Sequence, residues 1–449
     1  MRARVFGIVI ILLALSAAAF DASAGGPFVV DDVNNSGRAQ GWKDDELKWC
    51  ADPGDLSSTV SHSQAVGWIT EAFGKWSQVK LRNASNQSID TANISISKAS
   101  SCPTEDIDIS NFTDYYNGDA GPTVVVFDDT GDIVAEIVGE ENREVVVGLS
   151  VPLVSDSAGL NITKGIAIFN GLLLASDNTT LGYDLSTKSS YFKCTVLHEL
   201  GHLLNLDHSQ TNYEYVKNCE LGSSCEYGSY IPTMYPELVN TTQGNLNRDD
   251  QVTISWLYPT QDFEDEFCVI TGKIYDGDGR PLKGVHVTAT RTQGTTTPLV
   301  EARSFVSGAL YPSCSGDSRY YLFGIVPGRS YRVTYEAIGS QFRGASDFEP
   351  LDNPPTGFDS GVIPSGSGGE TVSCDSGGET IEMADLTIDT GNPCASSSGS
   401  GSGSGTTTTS SSSCTLVRGA LEAAGAGALV MILAALAALV PVRIKRKDG

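Results

Sequence analysis

Along residues 63–76, apolar Ala65, Val66, Ile69, Phe73 and Trp76 recur at helical spacing, so the pattern predicts a helix with one buried face. Three Val- or Ile-containing runs, 123–127, 144–148 and 165–170, read as strands. Helix and strand signals in this order predict a mixed α+β layer rather than a strict βαβ alternation. Past Cys268 the pattern shortens. Runs at 269–275, 284–290, 320–323 and 331–336 are β-prone and separated by turn chemistry such as Asp276-Gly277-Asp278-Gly279 and Pro327-Gly328, which predicts a small all-β sandwich. Two folded regions follow, at 42–263 and 266–390, with a short segment at 25–41 ahead of them.

The two ends of the chain carry different patterns. Arg2 and Arg4 precede an apolar run that closes on Ala22, Ser23 and Ala24, the form of a secretory signal peptide over residues 1–24. At the other end, 391–415 is a linker dominated by Ser, Gly and Thr, a composition that behaves as a tether. Residues 416–442 then read as a C-terminal transmembrane helix or a sorting tail, with an uncharged stretch from Ala423 to Val442. Arg443, Lys445, Arg446 and Lys447 make 443–449 a basic cytoplasmic tail by the positive-inside bias. The expected location is therefore the cell surface, single-pass and anchored through the C-terminal helix, with the folded regions outside. The tail also resembles bacterial surface-sorting tails, in which Cys414 would mark processing and release.

Composition sharpens this. Of 449 residues, 54 are Asp or Glu and 29 Lys or Arg, and the net charge of -25 repels phosphate backbones, so no nucleic-acid partner is expected. Export makes disulfides the default for the 10 cysteines. Spacing suggests Cys219 with Cys225 and Cys50 with Cys102, without determining the pairing.

Histidine is scarce, with 5 in the chain, yet three fall in His198-Glu199-Leu200-Gly201-His202-Leu203-Leu204-Asn205-Leu206-Asp207-His208. Residues four apart share a helix face, so His198 and His202 can direct both rings at one metal ion, with Glu199 beside them. His208 reaches the same ion only if the chain reverses near Asn205. Asn is the non-Gly residue most at ease in the left-handed conformation such a turn needs. Three neutral imidazoles and one open position describe a catalytic Zn2+ site. With so few histidines, a chance HExxH arises in about one such chain in a few hundred.

The stretch resembles the zinc-binding consensus of the metzincin metalloproteases, and is similar to the matrixin (matrix-metalloprotease-like) branch, except that Asn205 stands where the family has Gly. Outside the motif, Ile231-Pro232-Thr233-Met234-Tyr235-Pro236 resembles the family's Met-turn. Leu246, Asp249-Asp250 and Trp256-Leu257-Tyr258 resemble the closing helix of the catalytic domain, and Trp42, Trp49, Ala72-Phe73 and Trp76-Ser77 its first strand and helix. The resemblance implies a metzincin-type catalytic domain, a twisted mixed sheet plus helices, over 42–263. It places Met234 beneath the zinc and Tyr235-Pro236 along the substrate cleft. No Cys lies between Ala24 and Trp42, so a Cys-switch propeptide is not expected. Within the second region, Gly272-Lys273-Ile274, Gly279-Arg280-Pro281-Leu282 and Gly284-Val285-His286-Val287 resemble carboxypeptidase-regulatory or transthyretin-like sandwiches.

The function these features imply is a zinc-dependent endopeptidase acting on extracellular proteins or peptides, with Glu199 as general base and then general acid, and His198, His202 and His208 as metal ligands. A surface adhesion module with an inert zinc domain is the competing reading. Ca2+ is a further possible ion. Asp128, Asp129 and Asp132 are either loop ligands for it or an ordinary solvated turn, and the same alternatives hold for Asp276 and Asp278.

Overall fold

The computed structural model describes residues 25–398 and 413–417, apart from short stretches at 32–33, 35, 118–121, 157, 220, 222–224, 293–297, 315, 343–352 and 367. The expected signal peptide at 1–24, most of the linker and transmembrane segments and the basic tail at 443–449 lie outside the described residues.

The first region is built on one mixed sheet. Strands β1 (Glu46–Ala51), β2 (Ser95–Lys98), β3 (Thr123–Asp128), β4 (Val146–Ser155) and β5 (Asn161–Asn170) are ordered β2-β1-β3-β5-β4. The first four in that order run parallel, and β4 is antiparallel to β5. Period-two alternation divides the side chains between two cores. Val125, Phe127, Ala167 and Phe169 face α1 (His62–Ser77) and α3 (Leu185–Leu203). Val124, Val126, Ile166 and Ile168 face α2 (Asp132–Val138). Helix α1 matches the predicted stripe. Ala65, Ile69, Phe73 and Trp76 are buried against α3, and the Trp76 indole donates to the Leu197 carbonyl at 2.8 Å.

Two predicted strands prove longer than their sequence signals. The run at 144–148 begins at Val146 and continues to Ser155, because Pro152 is taken up at a register irregularity and does not end the strand. The run at 165–170 starts earlier, at Asn161.

A short strand β6 (Glu237–Leu238) and helix α4 (Arg248–Leu257) lead to the second region. Its strands are β7 (Cys268–Asp276), β8 (Val285–Arg291), β9 (Arg303–Val306), β10 (Arg319–Ile325), β11 (Tyr331–Ala337), β12 (Gly361–Val362), β13 (Thr380–Glu382) and β14 (Leu386–Ile388). One sheet pairs β7 with β10, β13 and β14; the other runs β9-β8-β11-β12. Ile270, Ile274, Val285, Val287, Leu322 and Val333 pack between them. Strand β9 escapes the sequence reading because Arg303 and Ser304 break its apolar run. Arg303 is nevertheless fully buried, donating to the Gly324 carbonyl at 2.7 Å over the Tyr331 ring.

Disulfides join Cys50 to Cys102 and Cys219 to Cys225, as the spacing suggested, and also Cys268 to Cys374 and Cys314 to Cys394. The Cys268 and Cys374 sulfurs near Glu379 are thereby committed to a covalent bond and are not metal ligands.

The second region packs directly on the first. Trp256 of α4 stacks on Phe323 of β10 with centroids 4.7 Å apart. Buried Asp249 accepts from the Ser209 hydroxyl on one side and from the Ser304 backbone N–H on the other, each at 2.5 Å.

One expectation is corrected at the C-terminus. Ser413–Val417, read as the end of the linker and the start of the span, form a strand, β15, that pairs with β4 and β6 at the sheet edge. The β-prone Cys-Thr-Leu-Val run finds unpaired backbone there, which decides strand over helix. No helix of the described residues is long and apolar enough to cross a membrane.

The packing predicts that Trp76→Ala costs about 3–5 kcal/mol, a large aromatic deletion from a filled core, read as the shift in urea midpoint at unchanged m. A loss below 1 kcal/mol would contradict the burial of Trp76 between α1 and α3.

Candidate metal centre

Helix α3 is capped by Asp184, whose carboxylate accepts from the Thr187 N–H at 2.9 Å, and carries His198, Glu199 and His202 in its last two turns. Its end produces the reversal. Asn205 has φ 74°, the left-handed value expected at that position. The Asn205 N–H bonds to the His202 carbonyl at 2.8 Å and the Leu206 N–H to the Gly201 carbonyl at 3.0 Å, the paired bonds of a Schellman ending. Two outside groups take up further terminal carbonyls. The Trp42 indole donates to Leu203 at 2.8 Å and the Tyr258 hydroxyl to Leu204 at 3.0 Å.

The same turn explains why Asn serves where the resembled family has Gly. The Asn205 side chain accepts from the Val29 N–H at 2.6 Å and donates to the carbonyls of Val29 at 2.9 Å and Gln40 at 2.7 Å. It ties the N-terminal segment across the turn, where glycine would supply only the backbone conformation. No sequence signal pointed to this role.

After the turn, His208 returns to the other two rings. Centroids lie 4.6 Å apart for His198 and His202, 5.2 Å for His198 and His208, and 4.7 Å for His202 and His208. All three are buried, and their ring nitrogens converge closely enough to hold a metal ion.

The hydrogen bonds show how that holding would work. His198 Nδ1 faces the Thr233 carbonyl at 2.7 Å and His202 Nδ1 faces the Leu206 carbonyl at 2.8 Å. A carbonyl only accepts, so each Nδ1 carries the proton and each Nε2 presents a lone pair. Those two Nε2 atoms stand 2.9 Å apart. Two lone pairs at that distance repel, and a shared cation converts the repulsion into binding. Burial also pushes His198 down to about 4 and holds His202 and His208 well below the usual imidazole value, so the rings stay neutral and ligand-ready. Neither ring nitrogen of His208 has a hydrogen-bond partner among the described residues. The donor set therefore fits a metal ion.

Glu199 lies on the same helix, fully buried. Space for it is left by Gly148 of β4, where an added Cβ would come within 2.8 Å of Glu199 Cγ. A glycine inside a Val-rich strand was the available signal for such close approach, and the sequence reading passed over it.

Met234 packs under the helix. A Cβ at Gly201 would collide with its sulfur, so the glycine between the two helical histidines admits the methionine. The turn that carries Met234 is held by Asp250, which accepts from the N–H groups of Thr233 at 2.9 Å, Met234 at 3.1 Å and Asn247 at 2.9 Å. Burial raises Asp250 to about 7. Tyr235, expected along a cleft, is instead buried against Phe342 of the second region, with centroids 5.4 Å apart.

Asp128, Asp132 and Asp276, considered for Ca2+, are engaged in local structure. Asp128 turns inward to accept from the Val134 N–H at 2.8 Å, and Asp132 pairs with Arg143 at 2.7 Å. Asp276 closes its hairpin turn by accepting from the N–H groups of Asp278 and Arg280.

No family model matches the chain, and no curated protein does. Among solved structures, the dioxygenase domain of a dioxygenase and carbohydrate-binding protein fusion from Streptomyces sp. SirexAA-E is 16% identical over 29% of this chain and 85% of that one, at a TM-score of 0.15. The C-terminal fragment of the pilus adhesin SpaC from Lactobacillus rhamnosus GG is 18% identical over 27% of this chain and 44% of that one, also at 0.15. Scores at this level carry no argument about fold or activity.

The turn geometry predicts an ordered pair of effects. Asn205→Gly keeps the backbone conformation and loses the three side-chain bonds, at about 2–4 kcal/mol with metal stoichiometry retained. Asn205→Ala adds backbone strain of about 1 kcal/mol or more. Chemical denaturation with parallel metal analysis orders the two variants. An alanine variant as stable as the glycine variant would contradict the left-handed turn.

Proposed function

We propose that the protein is a zinc-dependent endopeptidase, exported and tethered at the cell surface, that hydrolyses peptide bonds of extracellular proteins. The observation that carries this reading is the convergence of His198, His202 and His208, with Glu199 next to His198 on the helix. A structural zinc site would use four closed protein ligands; three imidazoles and an adjacent carboxylate leave room for chemistry. The resemblance of the motif to matrixins supports zinc as the ion and peptides as the substrate.

His198, His202 and His208 would hold the zinc, which would supply Lewis acidity for acidifying a water and polarising a carbonyl. The residues of the chain do the rest. His198 and His202 are oriented through Nδ1 by the carbonyls of Thr233 and Leu206, so their Nε2 lone pairs are pre-aimed. Glu199 takes the proton from the attacking water and delivers it to the departing amine. Asp250 keeps the Thr233 carbonyl in place by fixing the turn on which it sits. The signal peptide and C-terminal apolar run support the surface location.

Two outcomes test the reading. Glu199→Ala retains stoichiometric zinc while proteolysis falls by about 10²–10⁴-fold or more, since it removes the acid and base alone. Unchanged cleavage would remove Glu199 from the reaction. Separately, clearing of casein or gelatin by the intact protein is abolished by a chelator and restored by zinc. Zinc binding without cleavage of any protein or short peptide would favour the adhesion reading.

A further inference from the structure

Strand β15 lies along the edge of β4, where Gly148 adjoins Glu199. Its residues run antiparallel to β4, with Ser413 opposite Ser150, Cys414 opposite Leu149, Thr415 opposite Gly148 and Leu416 opposite Val146. On its other side it is parallel to β6, with Leu416 opposite Glu237 and Val417 opposite Leu238. It also contacts helix α3. The registers place Thr415 opposite Gly148, the residue that makes room for Glu199, and the ladder is irregular between Thr415 and Leu416, at that same point.

The physical consequence follows from sheet geometry. Adjacent strands lie about 4.8 Å apart, so β4 and β6, each paired to β15, bound a slot about one strand wide. Without β15 that slot would offer unpaired N–H and C=O groups on both walls, a template for any extended peptide. With β15 in place, the backbone groups that would bind a peptide substrate are used by the chain itself. His198, His202, His208 and Glu199 are all buried in this state, at 3% exposure or less.

We propose that residues 413–417 are an autoinhibitory occupant of the substrate slot, and that the enzyme opens to protein substrates when this tail segment leaves. The inference rests on the hydrolytic reading above. Being covalently attached, the segment acts at an effective concentration on the order of millimolar, so an incoming peptide has to compete with it.

The test uses the full chain in detergent micelles. The ladders to β4 and β6 overlap at Leu416, so a Thr415→Pro/Leu416→Pro double variant removes two successive N–H donors where both walls meet the strand. Hydrolysis of a fluorogenic extended peptide is expected to rise at least tenfold in kcat/KM, through a lower KM at unchanged kcat. In a Glu199→Ala background, hydrogen exchange at the amides of 146–150 is expected to accelerate with the same two prolines. If the prolines alter neither KM nor exchange, the segment does not hold the slot. If exchange accelerates but neither protein cuts any peptide, the hydrolytic reading fails and occupation of the slot stands. Cleavage of the full chain within 413–417, seen by intact mass, would overturn inhibition, because the segment would then be a substrate.

Discussion

Three buried imidazoles can share one point only if the helix that supplies two of them stops and reverses within a single turn. That reversal is the constraint on which the rest depends. It needs a left-handed residue at 205, two terminal hydrogen bonds onto Gly201 and His202, and outside donors for the carbonyls left over. Trp42 and Tyr258, far apart in sequence, provide those donors. The cost of ordering neutral histidines away from water would be offset where their lone pairs find a cation, so the turn builds a group that could hold a metal ion.

Around the turn, small residues admit large ones. Gly201 lets Met234 lie under the helix, and Gly148 lets Glu199 lie against β4. Asp250 then couples the Met234 turn to the ring of His198 through the Thr233 carbonyl. A buried carboxylate with three N–H donors is a rigid support, although its burial raises it to about 7. Neighbouring Asp249 performs a different task, fastening the loop after His208 to strand β9 of the sandwich. The sandwich is thus a buttress for the loop that follows the third histidine, through Asp249, the Thr211 to Ser304 bond at 2.9 Å and the Gln210 to Glu336 bond at 2.9 Å.

The edge of the first sheet is the other organising feature. Parallel strands are covered on both faces, and β4, the antiparallel member, presents its free edge beside Glu199. An exposed edge invites pairing, and here the invitation is met by Ser413–Val417 of the same chain.

Much of this was legible in one dimension. The stripe on α1, the Val- and Ile-containing runs of β3 and β5, the succession of short strands after Cys268, and the HExxH spacing with a third histidine all follow from local pattern and from the chemistry of scarce residues. The left-handed turn at Asn205 was legible too, because a helix cannot otherwise return His208. What only tertiary structure decided were matters of partnership: that Pro152 sits inside a strand, that buried Arg303 belongs to one, that Asn205 grips Val29 and Gln40, that Tyr235 turns to Phe342, and that Ser413–Val417 form an edge strand. The physical reason is common to all five. Local pattern reports what a segment prefers when alone, while a backbone edge, a buried carbonyl or an aromatic face hundreds of residues away determines which preference is satisfied.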